Sequence, residues 1–405
     1  MRGGPAPRVA VGGVLATVLL VSVAIVVLAT RRVANAASSP LEPSGAWRAA
    51  LVAAVLAAFA AYALAVVAAL RGLVERRIAV LSGCAVQLLP LGSPLLLSTD
   101  AYTYWDYGRL AARHGANPYS TPPSAFPHDP AYAAMGASWH HDTTLYGPLF
   151  TWLSGLVGHL SSAHDAQLAF RLLAAGAMVA MLAILAGADA SAAAIVLAGW
   201  SPLFALHFAG GGHNDALMLA LVVGAAAAGS RRPWVAAVLW VAAVAVKWVA
   251  LALLALDLLA AGAGRRRGRL ARLCVVGVVG VALAMLTYGT ALLHAFRELS
   301  KQSRRTGSLG LAKWLAEAGL HHRAIVALLF LATVAFVALL AWLALRTRDR
   351  HLSVAGTGLA FLQGWLNPWY ALWGGATLAF EEAVVPAVLA NLALSALVLR
   401  DALPL

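Results

Sequence analysis

The sequence predicts an all-α, polytopic membrane protein, and three observations carry that prediction. Hydrophobic residues fill 62% of the 405 positions and charged residues only 11%, against about a quarter charged in soluble domains. The mean hydropathy of +0.81 arises from recurrent apolar runs near the length of about 20 residues that one crossing needs, enough for about eleven to thirteen helices. Arginine clusters punctuate those runs, as in cytoplasmic loops. Little chain remains for a soluble domain, so residues 1–405 read as one transmembrane unit.

In chain order, simple spans are expected at 9–30, 47–70, 78–97, 166–187, 192–208, 216–229, 273–293, 324–345 and 383–399. Three stretches are less regular: 146–160 is short, 233–262 is long with Lys247 in its middle, and 352–380 is interrupted at Asn367-Pro368. Broken helices are tolerated where protein or a water-filled cavity surrounds them. Placing the arginines within 71–77, 231–232, 265–272 and 346–350 on the cytoplasmic side turns four regions outward together. These are the large loop 98–145, the turn at Gly211, the basic loop 294–323 and the break at 365–370. Segment 233–262 must then enter and leave on one side, as a helical hairpin with Lys247 near its outer tip. Arg31, Arg32 and the loop 297–323 run against this arrangement. Ala34-Asn35-Ala36 resembles a signal-peptidase site, yet the preceding apolar run is long for a signal peptide, so an uncleaved first helix is expected.

The net charge of +13 comes almost wholly from arginine, since the only lysines are Lys247, Lys301 and Lys313. Because the arginines flank spans, anionic lipid headgroups account for them before nucleic acid does. Cys84 and Cys274 fall inside apolar segments and read as small buried hydrophobes.

Chemistry is expected in the outward regions. From Ser98 the chain reads STDAYTYWDYGR, predicting a helix from Thr99 or Asp100 to about His114, closed by Gly115. Its tyrosines and tryptophan suit an interfacial helix. Asp100 is either a helix cap or a carboxylate tuned as a base at the membrane boundary. The turn Gly210-Gly211-Gly212-His213-Asn214-Asp215 offers a similar choice: Asn214 or Asp215 caps the next helix, or the crowded polar groups serve a function. Lys247 lies about 20 Å from Pro233 along a helix, beyond snorkelling reach, and needs an aqueous pocket or an anion, either a phosphate or an internal aspartate. His128-Asp129 and His140-His141-Asp142 read as solvated loop, with a divalent ion as the sharper alternative, and no metal or other cofactor is demanded. Trp365 to Tyr370 supply aromatics for a lipid groove or an interface belt. The basic loop with Arg297, Lys301, Arg304, Arg305 and Lys313 suits lipid headgroups, or the steering of a phosphate-bearing lipid.

A pocket holding a base, a cation and a polar turn fits group transfer from a lipid-anchored phosphate. Asp100-Ala101-Tyr102-Thr103-Tyr104, Tyr107-Gly108, Asn117-Pro118-Tyr119, Tyr146-Gly147-Pro148-Leu149, the run from Gly211 to Met218, and Ala245-Val246-Lys247 follow in order. Together they resemble the actinobacterial polyprenyl-phosphate-mannose-dependent α-1,6-mannosyltransferases of the C-type glycosyltransferase superfamily (GT-C), over roughly residues 90–370. The run Trp105-Asp106 departs from the small residues expected there. The resemblance implies a GT-C-like helical bundle with an extracytoplasmic site in the plasma membrane, a polyprenyl-phosphate sugar donor, a mannan or lipoglycan acceptor, and transfer with inversion. It implies Asp100 as the catalytic aspartate. Lys247 and Arg109 would offset charge on the departing phosphate, His213, Asn214 and Asp215 would hold the sugar or orient the acceptor, and Tyr104 and Tyr146 would wall the pocket. A transferase of the same fold using another lipid-linked sugar, and a lipid or solute transporter, are the alternative expectations.

Overall fold

The computed structural model describes residues 5–33, 45–307, 309–381 and 384–402, and every regular element among them is helical. The Ala34-Asn35-Ala36 stretch lies outside the described residues. The first half contains α1 (Pro5–Val33), α2 (Gly45–Leu70), α3 (Arg76–Leu88), α4 (Asp100–His114), α5 (Pro130–Ala134), α6 (Pro148–Val157), α7 (Ala163–Gly187), α8 (Ala192–Gly199), α9 (Pro202–Phe208) and α10 (Asp215–Ala228). There follow α11 (Pro233–Val246), α12 (Ala250–Ala260), α13 (Ala263–Tyr288), α14 (His294–Ser303), α15 (Leu311–Glu317), α16 (His322–Thr347), α17 (Leu352–Phe361), α18 (Leu372–Gly375) and α19 (Val384–Val398).

Among the described residues, five helical stretches, Val9–Arg31, Ala46–Leu70, Ala163–Gly187, Ala263–Ser303 and His322–Thr347, are long and apolar enough to cross a bilayer. The protein is a polytopic helical membrane bundle. Large apolar side chains on α13 and α16 stand open, Leu286 at 84% and Phe330 at 66% exposure, as surfaces that meet lipid do. The remaining apolar helices are shorter, and their ends need protein partners for the free backbone groups.

Two expected single spans are broken. Within 192–208, Ser201 caps α9 by accepting a hydrogen bond from the Phe204 amide, and Pro202 occupies the first helical position, so α8 ends at Gly199. The signal was in the sequence, but uniform hydropathy masked it. Within 78–97, α3 gives way to a 3₁₀ turn at Leu89–Gly92, and Leu97 adopts a left-handed φ of 61°. Here a proline two residues after the end of α3, Pro90, is the local cause.

One buried apolar cluster runs from Ala16 to Val398. Around it α1 packs on α2, α3 on α7 and α8, and α10 between α7 and α11. Helix α4 lies against α6 so closely that a Cβ on Gly108 would meet the Ser154 carbonyl oxygen at 1.9 Å. Its residues Ala101 to Gly108 are buried, so its aromatic side chains pack into protein.

The bundle has two chemically different ends. At one, Asp257 receives Arg269 and Arg350, Arg350 also reaches the Ala226 carbonyl, and Arg76 pairs with Asp189. At the other stands Asp215, the first residue of the same α10 whose Ala226 contacts Arg350. The expected hairpin is present: Pro233 and Leu258 line one small cavity, while Lys247 caps α11 at the far tip.

Candidate active site

Asp100 is the first residue of α4, and its carboxylate does not cap the helix. Thr99 occupies the capping position, also without a side-chain bond. Instead Asp100 Oδ2 lies 3.3 Å from His213 Nδ1, and the Tyr104 hydroxyl, one turn along the same face, donates to it at 3.5 Å. The Asp100 amide donates to Ser98 Oγ at 3.0 Å, fixing the start of the helix. Burial acts to raise the Asp100 pKa, but His213, Ser98 and the field of Lys247 outweigh it and hold the carboxyl below its ordinary value.

The glycine-rich turn brings His213 to this carboxylate. Gly212 sits at φ +78°, and a Cβ on Gly210 or Gly211 would meet the Leu206 or His207 carbonyl at 2.0 or 2.6 Å, so all three glycines are required by the chain path. A residue the sequence reading passed over holds the turn: Arg171, buried on α7, donates to Ala209 O at 2.7 Å and to Pro90 O at 2.6 Å. It thereby ties the segment before His213 to the segment before Asp100. An arginine in the first turns of an otherwise apolar span was the available signal.

Asp215 is fully enclosed and receives two donors, Lys247 Nζ at 2.7 Å and Trp373 Nε1 at 2.6 Å. Lys247 thus has the internal aspartate anticipated for it as a partner. The ammonium also stands over the Tyr370 and Trp373 rings, at 5.0 and 5.8 Å from their centres. Trp369 stacks on His213 with ring centres 3.6 Å apart. The 365–370 break thus contributes to the site wall, and Trp373 extends it beyond the aromatics singled out in sequence. Tyr104 and Tyr146 meet edge to face at 5.1 Å. Asn214 stands at the capping position of α10 without capping it, and both atoms of its buried amide lack a hydrogen-bond partner.

Arg109 is not brought into this group. Nine residues beyond Asp100 it points to the opposite face of α4, where it pairs with Asp129 at 2.7 Å and lies over the Trp105 ring. His114 shares the same Asp129 carboxylate at 2.8 Å. Asp142 of the histidine-rich stretch takes Lys301 and Arg305 rather than standing in solvent. Among the described residues, one trio, Asp349, His351 and Glu381, sets potential metal-ligand atoms within 4.8 Å of one another. It adjoins Arg350 at the arginine end, away from Asp100.

Of the two carboxylates in the cluster, Asp100 is the accessible one. Its side chain is 20% exposed, while those of His213 and Asp215 are closed off. The arrangement presents one reachable, ionised carboxylate backed by a histidine and by a lysine, itself 14% exposed, that is paired to an enclosed aspartate.

Residues 9–263 match the family model described as alpha-(1->6)-mannopyranosyltransferase, N-terminal domain. The chain belongs to the alpha-(1->6)-mannopyranosyltransferase family. All eight residues singled out in sequence, from Asp100 to Lys247, fall inside the matched segment of this family. A curated relative, alpha-(1->6)-mannopyranosyltransferase A of Corynebacterium glutamicum, is 30% identical over 134 residues, covering 31% of this chain and 27% of the relative. The match thus spans about a quarter of that mannopyranosyltransferase's length. No solved structure matches the chain.

Proposed function

We propose that this protein is an integral membrane mannosyltransferase. In this reading it moves mannose from polyprenyl-phosphate-mannose to a mannan or lipoglycan acceptor at the extracytoplasmic face of the plasma membrane, with inversion, forming an α-1,6 linkage. Family membership supports the transferred sugar and the linkage. The observation that carries the mechanism is the access to Asp100, an ionised carboxylate that is 20% exposed while the neighbouring carboxylate Asp215 is enclosed.

In the proposed step the acceptor hydroxyl oxygen bonds to the anomeric carbon, while the bond from that carbon to the phosphate oxygen breaks. The hydroxyl proton passes to Asp100, and the polyprenyl phosphate leaves with the bonding electron pair. His213 would steady the carboxylate before transfer, and the field of Lys247 would keep it ionised at neutral pH. Asp215 already compensates the charge of Lys247, so the lysine would contribute only a residual field to Asp100 and to the leaving group alike. Tyr104, Tyr146 and Trp369 would shape the sugar pocket, and Asn214, with its unsatisfied amide, would bind a hydroxyl there. A phosphate is a good leaving group, so the step requires no metal.

The test is transfer by purified protein in vesicles, using radiolabelled polyprenyl-phosphate-mannose and a short α-mannoside, beside Asp100→Asn at equal abundance. Transfer by the parent and a loss of about a hundredfold or more in the variant is expected for removal of a general base. A fully active variant removes Asp100 from the mechanism. A parent inactive with every lipid-linked sugar tried defeats the transferase reading in favour of transport.

A further inference from the structure

The cations expected to meet a phosphate are already neutralised, Lys247 by Asp215 and Arg109 by Asp129. Positive charge without a partner collects elsewhere. A cavity of about 840 Å³ lies between α14, the outer half of α16 and residues 362–364. Arg304, His322, Arg323, Ser300 and Ser303 line one part of it. Neither Arg304 nor Arg323 meets a carboxylate among the described residues. An adjoining basic cavity shares Arg304 and adds Arg297, Lys301 and Arg305. Against these five cations stand two carboxylates, Asp142 and Glu298, leaving a surplus of positive charge that calls for an anion.

The same cavity turns apolar along α16. Val326, Leu329 and Phe330 follow Arg323 on its lining, continuing to Thr333, about 15 Å further along the helix. Charge at one end and an apolar trough at the other complement an amphiphile with an anionic head.

A relay of contacts links the groove to the site described above. Gly364 on its lining accepts from the Gly307 amide, and neighbouring Trp365 stacks on Trp139 with the Arg305 guanidinium 4.7 and 5.6 Å from the Trp139 and Trp365 rings. Trp139 borders Gly136, which lies against Thr99, the residue before Asp100. Four residues beyond Trp365, Trp369 stacks on His213.

We propose that this groove holds the lipid-linked donor, with Arg304 and Arg323 binding its phosphate and the α16 trough from Val326 to Thr333 receiving its first isoprene units. The inference rests on the reading of the protein as a polyprenyl-phosphate-dependent transferase. It moves the phosphate contacts from Lys247 and Arg109 to two arginines of the second basic loop and the following helix. The donor phosphodiester carries one negative charge, and the departing monoester can carry two. Two guanidiniums at the phosphate would therefore favour departure as charge builds.

Two measurements test it. In vesicles, Arg304→Gln and Arg323→Gln are each expected to raise the donor KM about tenfold or more, with the acceptor KM unchanged and the lysine variants intermediate. An unchanged donor KM in both glutamine variants, with an active parent, overturns the groove. Independently of activity, a diazirine-bearing farnesyl phosphate is expected to label the peptide containing residues 326–333 in the parent and to lose that labelling in Arg323→Gln. Excess inorganic phosphate or phosphatidylglycerol is expected not to displace the label, and displacement by either overturns the isoprenoid assignment. A parent inactive with all sugars but correctly labelled would sink the transferase reading while leaving the lipid site standing.

Discussion

Replacing Asp215 by asparagine isolates the charge of one buried pair. Lys247 Nζ lies 2.7 Å from Asp215 Oδ2, with side-chain exposures of 14% and 0%. At an effective dielectric near 20 their attraction is about 6 kcal/mol. Desolvation of the two ions consumes several kcal/mol each, so the pair as a whole adds little over an apolar pair of similar volume. Removing one partner is different, because the other charge stays enclosed without compensation, at a cost of about 3–5 kcal/mol. Asparagine can still accept the Trp373 hydrogen bond, which confines the loss to the charge. Asp215→Asn combined with Lys247→Met should recover most of the stability. The assay is unfolding in mixed detergent micelles, followed through intrinsic tryptophan fluorescence, for the parent, both single variants and the double. A loss below about 1 kcal/mol for Asp215→Asn, or a double variant as unstable as that single one, would refute the account of a buried, mutually dependent pair.

Two further outcomes are expected. Burial, reinforced by the charge of Asp129 and opposed by Arg109, raises the Asp106 pKa to about 7. An unfolded aspartate titrates near 3.9, so the folded protein loses stability as pH rises from that value through 7. Asp106→Asn should therefore raise the melting temperature relative to the parent at pH 8 and leave it nearly unchanged at pH 4. Arg171→Lys keeps a charge but loses the fork that spans Ala209 and Pro90. Since hydrogen bonds from a charged donor contribute about 1.5–3 kcal/mol each, both melting temperature and transfer should fall, while farnesyl-phosphate labelling of α16 persists.

How much of this was legible in sequence differs from residue to residue. The α4 helix from Asp100 to His114, its Gly115 terminus and the 233–262 hairpin follow from local signals: a polar start, a glycine stop, and arginines at both ends of one long apolar run. The breaks inside 78–97 and 192–208 had proline signals, yet apolar composition on both sides of each proline made the runs look continuous. Arg109 was misplaced for a different reason. The resemblance implied a place beside the departing phosphate, but nine positions of a helix rotate it to the face opposite Asp100, toward an aspartate twenty residues further on.

The sequence by itself determined that the chain enters a membrane as helices, since composition and run length leave no other way to satisfy the backbone in lipid. It also marked Asp100, His213, Asp215 and Lys247 as candidates for chemistry, because they are too polar for their apolar surroundings to be incidental. Only the tertiary structure decided which of them pair. Asp100 meets His213 across 113 positions and Asp215 meets Lys247 across 32, and these choices depend on how α4, α10 and α11 pack. That packing leaves Asp100 reachable, neutralises Lys247, and gathers beside an apolar trough arginines that meet no carboxylate among the described residues, because charge compensation is settled by distances in space that local sequence does not encode.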